Sequence, residues 1–393
     1  MFSDRTAWNL EPNPLSRALA KRLASGETVI DLTESNPTKC GFHFEAERIL
    51  GPLSHLASLK YEPIAQGLLP ARNAVVDYYR SQKCSININD IFLTTSTSEA
   101  YSFLFRTLCN PGDEVLIPQP GYPLFNFLAD IQDVGTAHYP LIYDYGWQID
   151  FHALQRAITS RTRAIVVVNP NNPTGHFCKP SDMHRLSQIG LEGNLALIAD
   201  EVFLDFSLGN DIEPSFASNN SALTFTMSGL SKISGLPQMK VAWLVVRGPE
   251  AIKQQAVARL EMIADTYLSM NTPMQLALPV LLDLRHTFQQ QCIERTRNNL
   301  ARLDKLLSTQ KLCTRLNLEG GWYAIVKVPA TGRDDDLALE LLNTRGVYVH
   351  PGHFYDFPGD GYLVISLITP ERSFATGMQA LIALIGEKFR KDS

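Results

Sequence analysis

The sequence is defined first by what it is short of. No apolar run approaches the roughly 18 residues of a membrane-spanning helix, so a transmembrane reading is excluded. Cysteine is scarce: six residues, at 40, 84, 109, 178, 292 and 313, with no C-x-x-C pair and no histidine at metal spacing. That excludes a zinc ribbon or a secreted disulfide scaffold. It reads as free thiols in a reducing cytoplasm, with no metal site expected. An excess of one charge is missing too. The 35 Lys and Arg stand against 40 Asp and Glu, a formal charge of −5. There is no global electrostatic case for nucleic acid or an anionic membrane. The start, Met1-Phe2-Ser3-Asp4-Arg5, is polar and acidic, unlike a signal peptide. Repeats and low-complexity linkers are also absent.

What is present is ordinary globular composition, 45% apolar and 19% charged over 393 residues. Disordered, collagenous and coiled-coil classes drop out, and the length implies about two domains. Residues 15–25 have the i, i+4 apolar spacing of an amphipathic helix, and Val29–Leu32 is a short strand. Strands are expected at Ile91–Thr94, at Glu114–Ile117 (ended by Pro118), at Ala164–Val168, at Leu195–Ala199 and at Val241–Val246. Glu99–Leu108 is a helix between the first two. Continuous apolar strands separated by helices indicate a mainly parallel sheet covered on both faces. Residues 247–310 read as helical, with one long helix over Val280–Leu307 and Pro279 at its start. An α+β tail follows: strands at Trp322–Val328, Val347–His350 and Tyr362–Leu367, and helices at Asp335–Arg345 and from Glu371.

Ligands of open parallel sheets sit outside the carboxyl ends of the strands. Several of those ends carry chemistry here. Asp200 closes a five-residue apolar strand, where a buried carboxylate needs a cationic partner; an N-cap or a salt bridge would also account for it. Asn169-Pro170-Asn171-Asn172-Pro173-Thr174-Gly175 is a rigid turn in which an asparagine amide can donate to a ligand. Ser96, Thr97 and Ser98 stand at a strand-to-helix junction, which suits an anion, although any hydroxyl cap looks similar. Lys232 lies in Ser228-Gly229-Leu230-Ser231-Lys232-Ile233-Ser234-Gly235-Leu236-Pro237. Hemmed in by small and apolar residues, a lysine loses hydration, its pKa falls, and the neutral amine becomes a nucleophile. Alone, the segment also fits an exposed loop lysine.

Together, in this order and spacing, these motifs resemble the pyridoxal-phosphate enzymes of fold type I, close to the class I/II aminotransferases. The likeness runs from about residue 29 to about residue 385. It implies a large cofactor domain, 46–284, with a mainly parallel central sheet, and a smaller α+β domain from 1–45 and 285–393. It implies Lys232 as the Schiff-base lysine and proton carrier, and Asp200 as partner of the pyridinium nitrogen. It implies Asn172 on the ring oxygen, Tyr122 stacked on the ring, and Ser96, Thr97, Ser98 and Ser231 around the phosphate. Tyr61, in a Y-x-x-x-x-x-G-x-x-x-x-R segment with Gly67 and Arg72, would reach the phosphate of a neighbouring subunit, which implies a homodimer.

Four positions depart from the family pattern. Lys240 stands where a phosphate-binding arginine is usual, keeping charge but not the bidentate fork. Phe203 replaces a tyrosine that bonds the ring oxygen, which should raise the pKa of the Lys232 imine. Val364 stands where an arginine clamps the substrate α-carboxylate, and Ser35 replaces a glycine near that carboxylate. Arg372, His353 and Glu34 are the neighbouring charged candidates for contact with substrate, each of which also reads as a surface or structural residue. The expected activity is amino transfer between an amino acid or amine and an oxo acid by a ping-pong route. Elimination, replacement, cyclisation or oxidation on the same cofactor stays open, as does a non-catalytic regulator that binds it.

Overall fold

The computed structural model describes residues 1–209 and 212–391. Its strands are β1 Ile30–Asp31, β2 Ile91–Thr94, β3 Glu114–Gln119, β4 Gly135–Tyr143, β5 Trp147–Ile149, β6 Thr162–Val168 and β7 Ala196–Asp200. They continue with β8 Thr224–Gly229, β9 Ala242–Arg247, β10 Thr314–Arg315, β11 Tyr323–Lys327, β12 Val347–Tyr348, β13 His350–Pro351 and β14 Tyr362–Ser366. The central sheet has eight strands in the order β2-β9-β8-β7-β6-β3-β4-β5. From β8 through β4 every neighbour is parallel, while β9 and β5 pair antiparallel near the two edges. The expected fold class, α/β with a mainly parallel sheet and a smaller α+β part, is what the molecule adopts.

Its strands are apolar throughout because both faces are covered. On β6, Ile165 and Val167 face one core while Ala164, Val166 and Val168 face the other. On β7, Leu197 and Ala199 join the first core and Ala196 and Ile198 the second. Each buried branched side chain of this kind contributes about 1.5–3 kcal/mol, so a polar residue would be costly on either face. A second sheet, β10-β11-β14-β13, is antiparallel and packs on the helices Arg285–Leu307, Asp334–Arg345 and Glu371–Lys391 around a third core. A two-stranded parallel ladder, β1 with β12, ties the N-terminal segment to this region.

Three expectations need correction. Strand β3 does not stop at Pro118 but runs to Gln119, in register with Tyr139 and Pro140 of β4. Its ladder with β6 ends at Leu116, so the missing proline N–H removes no bond on that side. The long helix over Val280–Leu307 is two helices, Thr272–Asp283 and Arg285–Leu307, meeting at Leu284. Pro279 lies inside the first, whose N-terminus is marked by Pro273 and by Asn271, which accepts the Met274 N–H at 3.0 Å. Finally, Val347–His350 is not one strand. Val347 and Tyr348 pair with β1, and His350 and Pro351 with β14, because the chain crosses between sheets at Val349.

Candidate active site

Strands β2, β3, β6, β7 and β8 point their carboxyl ends to one edge of the sheet, and the residues just beyond them meet there. Thr97 follows β2, Tyr122 follows β3, Asn172 follows β6, Asp200 ends β7, and Ser231 and Lys232 follow β8. All of them line one cavity of about 140 Å³, together with Ser35, Phe203 and Tyr323 from elsewhere in the chain.

Lys232 sits in the one-turn helix Leu230–Ile233, where Gly229 brings the chain tightly against β9. Its Nζ lies 5.4 Å from the Phe203 ring centroid and 5.0 Å from that of Trp322. Loss of hydration lowers its pKa to about 8, a fall that the Asp200 and Cys292 side chains partly offset. Asp200 is buried, and burial raises its carboxyl pKa to about 6. Two donors hold that rise down: the Val202 N–H and the Tyr101 hydroxyl, each 3.2 Å from a carboxylate oxygen. Asp200 is therefore ionised above pH 6, with Lys232 the nearby cation.

The three asparagines of the turn after β6 divide the work. Asn169 bridges Glu201 (3.2 Å) and the Cys178 N–H (3.0 Å). Asn171 donates to the Pro120 carbonyl at 3.1 Å and to Thr174 at 3.0 Å. Those two hold the loop, and Asn172 is left facing the cavity, with its buried side-chain oxygen unpaired. Gly175 closes the turn at φ +66°, and a Cβ there would run into Leu318 and the Gly320 carbonyl.

The phosphate candidates separate. Thr97 and Ser231 line the cavity. Ser96 caps the helix Thr97–Leu108, its hydroxyl accepting the Glu99 N–H at 3.1 Å, and neither it nor Ser98 is part of the cavity wall. Lys240 is exposed, with a left-handed backbone at φ 53°, and lies off that wall. Tyr61 is 75% exposed and borders a different cleft with Glu62 and Gln275.

Two site residues escaped the sequence reading. Tyr101 belongs to the apolar stripe of its helix with Leu104 and Phe105, so nothing marked it as the donor to Asp200. Tyr323 reads as an ordinary strand residue, yet it lines the cavity together with Ser35.

These residues fit a phosphorylated pyridine aldehyde. The cavity offers an ionised buried carboxylate for a ring N–H, a desolvated amine for the aldehyde, and a buried amide with an unpaired oxygen. Among the described residues, no group of histidine, cysteine and acidic side chains is placed to hold a metal.

Comparison with known proteins agrees. The family model for aminotransferase class I and II matches residues 56–373. A glutamate-pyruvate aminotransferase of Haemophilus influenzae is 29% identical over 271 residues, covering 68% of this chain and 67% of that protein. An alanine aminotransferase of Mycobacterium bovis is 27% identical over 388 residues, covering 94% and 88%. The solved structure of an alanine aminotransferase from Pyrococcus furiosus shares the fold at a TM-score of 0.87 and 24% identity, covering 98% of this chain and 100% of that one.

Proposed function

The chain belongs to the class I and II aminotransferases and is a pyridoxal-phosphate-dependent aminotransferase of fold type I; within that activity, we propose that Lys232 is the residue that binds the cofactor and moves the proton. The carrying observation is the shared cavity: a desolvated amine at Lys232 and a buried carboxylate at Asp200, each at the carboxyl end of a parallel strand. When bound, the cofactor supplies an electron sink that makes the hydrogen on the amine-bearing carbon acidic.

The protein's own groups do the rest. With a pKa of about 8, a fraction of Lys232 is neutral at physiological pH and can attack an aldehyde, and later accept and return a proton at Nζ. Asp200, held by Tyr101 and Val202, keeps a negative charge where a ring N–H would lie. Asn172 would orient the ring oxygen, Thr97 and Ser231 would hold the phosphate, and Tyr122 would cover one ring face. Phe203 brings no donor to the ring oxygen.

The names of the relatives support an oxo acid as amino acceptor. The division into a large domain, 46–284, and a small one, 1–45 with 285–393, is supported by the sheets. The eight-stranded sheet falls between residues 91 and 247, and β10 to β14 beyond 313. We read the working form as a homodimer in which Tyr61 reaches a neighbouring site. Its exposure, with Leu56 and Leu59 also bare beside it, supports this. Six free cysteines support a reducing, cytoplasmic setting.

Lys232→Ala tests the central role. It is expected to remove the visible absorbance of protein-bound cofactor and to abolish turnover while circular dichroism stays unchanged. Retention of that absorbance would place the covalent attachment elsewhere.

A further inference from the structure

The next step rests on the role given to Lys232 and concerns the group that flanks the reacting carbon of the amino donor. Strand β14 alternates. Leu363 and Ile365 pack into the core of the small sheet, whereas Val364 packs with Tyr323, Tyr355 and Phe357 in the core beside the cavity. The position that resemblance assigns to a carboxylate-binding arginine thus lies in the core that holds Tyr323, off the cavity wall itself, and it is hydrocarbon, 1% exposed.

No other cation takes over. Among the described residues lining the cavity, Lys232 is the one cationic side chain. Arg295 is committed to the carbonyls of Cys40 (3.2 Å) and Ile368 (3.4 Å) and lies over the Phe42 ring. His353 pairs with Asp335 at 3.3 Å, and Arg372 is exposed and off the cavity wall. His350 is uncharged at neutral pH, because burial pushes its pKa down to about 4.

Apart from Lys232 and Asp200, the polar side chains on the cavity wall are neutral. Ser35 and Tyr323 both present hydroxyls there. The Tyr355 ring lies 6.4 Å from that of Tyr323, with its own hydroxyl 3.3 Å from His350 Nδ1. Two acids lie nearby, Glu34 acting on Tyr323 and Asp31 on His350, with Arg295 beside them at Cys40. A carboxylate entering here would give up its water, find no cation on the wall besides Lys232 and approach like charge. A hydroxyl would exchange water for Ser35 and Tyr323.

We propose that the preferred amino donor is a primary amine whose reacting carbon carries a neutral, hydroxyl-bearing substituent in place of a carboxylate, received by Ser35 and Tyr323. The exchange balances. Donor amine and acceptor carbonyl become donor carbonyl and acceptor amine with the cofactor aldehyde regenerated, and the donor's two-electron oxidation matches the acceptor's reduction. An oxo-acid acceptor enters the same pocket with its carboxylate unpaired and needs a correspondingly higher concentration.

The test uses purified holoenzyme and matched donors: L-alaninol, L-alanine and isopropylamine. Loss of the bound cofactor's absorbance is followed in single turnover. In parallel, 2-amino-2-methyl-1-propanol and 2-methylalanine, which have no hydrogen on the reacting carbon, are titrated by spectral shift. The amino alcohol is expected to bind at least about tenfold more tightly than the amino acid. Tyr323→Phe should erase the alcohol's advantage over isopropylamine, a readout that does not depend on whether Val364→Arg folds. Where Val364→Arg does fold, it should reverse the preference toward carboxylates. Equal or tighter binding of 2-methylalanine to the wild type overturns the proposal and leaves Lys232 untouched. Tighter binding of the alcohol with no absorbance loss from any donor supports the pocket and overturns the role of Lys232.

Discussion

At the scale of a single residue, the proposed chemistry turns on Lys232. Its pKa of about 8 is set by lost hydration rather than by a neighbouring cation. Since only the neutral amine attacks an aldehyde, cofactor capture by the cofactor-free enzyme should speed up as pH rises through about 8 and level off above it; stopped-flow absorbance would read this directly. A rate independent of pH between 6 and 9 would remove the desolvation argument. Phe203 makes a second residue-scale prediction. Phe203→Tyr introduces a donor beside Lys232 that would stabilise an anionic ring oxygen and weaken its hold on a nearby proton. The pH midpoint of the holoenzyme's visible absorbance change should then fall, on the order of one unit.

Among the elements, the turn after β6 shows how a motif becomes geometry. Asn169 and Asn171 are spent on the loop itself, and Asn172 is left for the cavity. Gly175 pays no steric cost for its left-handed backbone. Gly175→Ala should destabilise the protein by about 1–3 kcal/mol, measured as a lower urea midpoint, and weaken cofactor retention at the same time. This turn was legible because two prolines and three asparagines after an apolar run leave few conformations. The helix break at Leu284 was not legible. Apolar spacing continues across it, and the proline that marks a helix start is Pro273 rather than Pro279. Strands β4 and β5 also went unread. β5 is a three-residue edge strand and β4 beside it mixes polar and apolar residues, so no continuous hydrophobic run marks them.

For the whole molecule, the question is how many chains make one site. Tyr61 and its neighbours Leu56 and Leu59 are bare, and Tyr61 is not part of the cavity wall. Sedimentation of the holoenzyme should give twice the chain mass. Tyr61→Phe should reduce cofactor affinity about tenfold while leaving the dimer intact, as one lost hydrogen bond to a charged group would. A monomer with unimpaired cofactor binding would sink this arrangement.

The resemblance to a known family implied the cofactor class, while the sequence alone determined the parallel sheet and the residues at the strand ends. Those features depend on local spacing: apolar runs for buried strands, and special residues where such strands must stop. Only the tertiary structure decided that Tyr101 donates to Asp200, that Tyr323 lines the same cavity as Ser35, and that Ser96 caps its helix. These roles join residues far apart in the chain. A buried tyrosine that donates to a carboxylate carries the same local pattern as one that only fills a core.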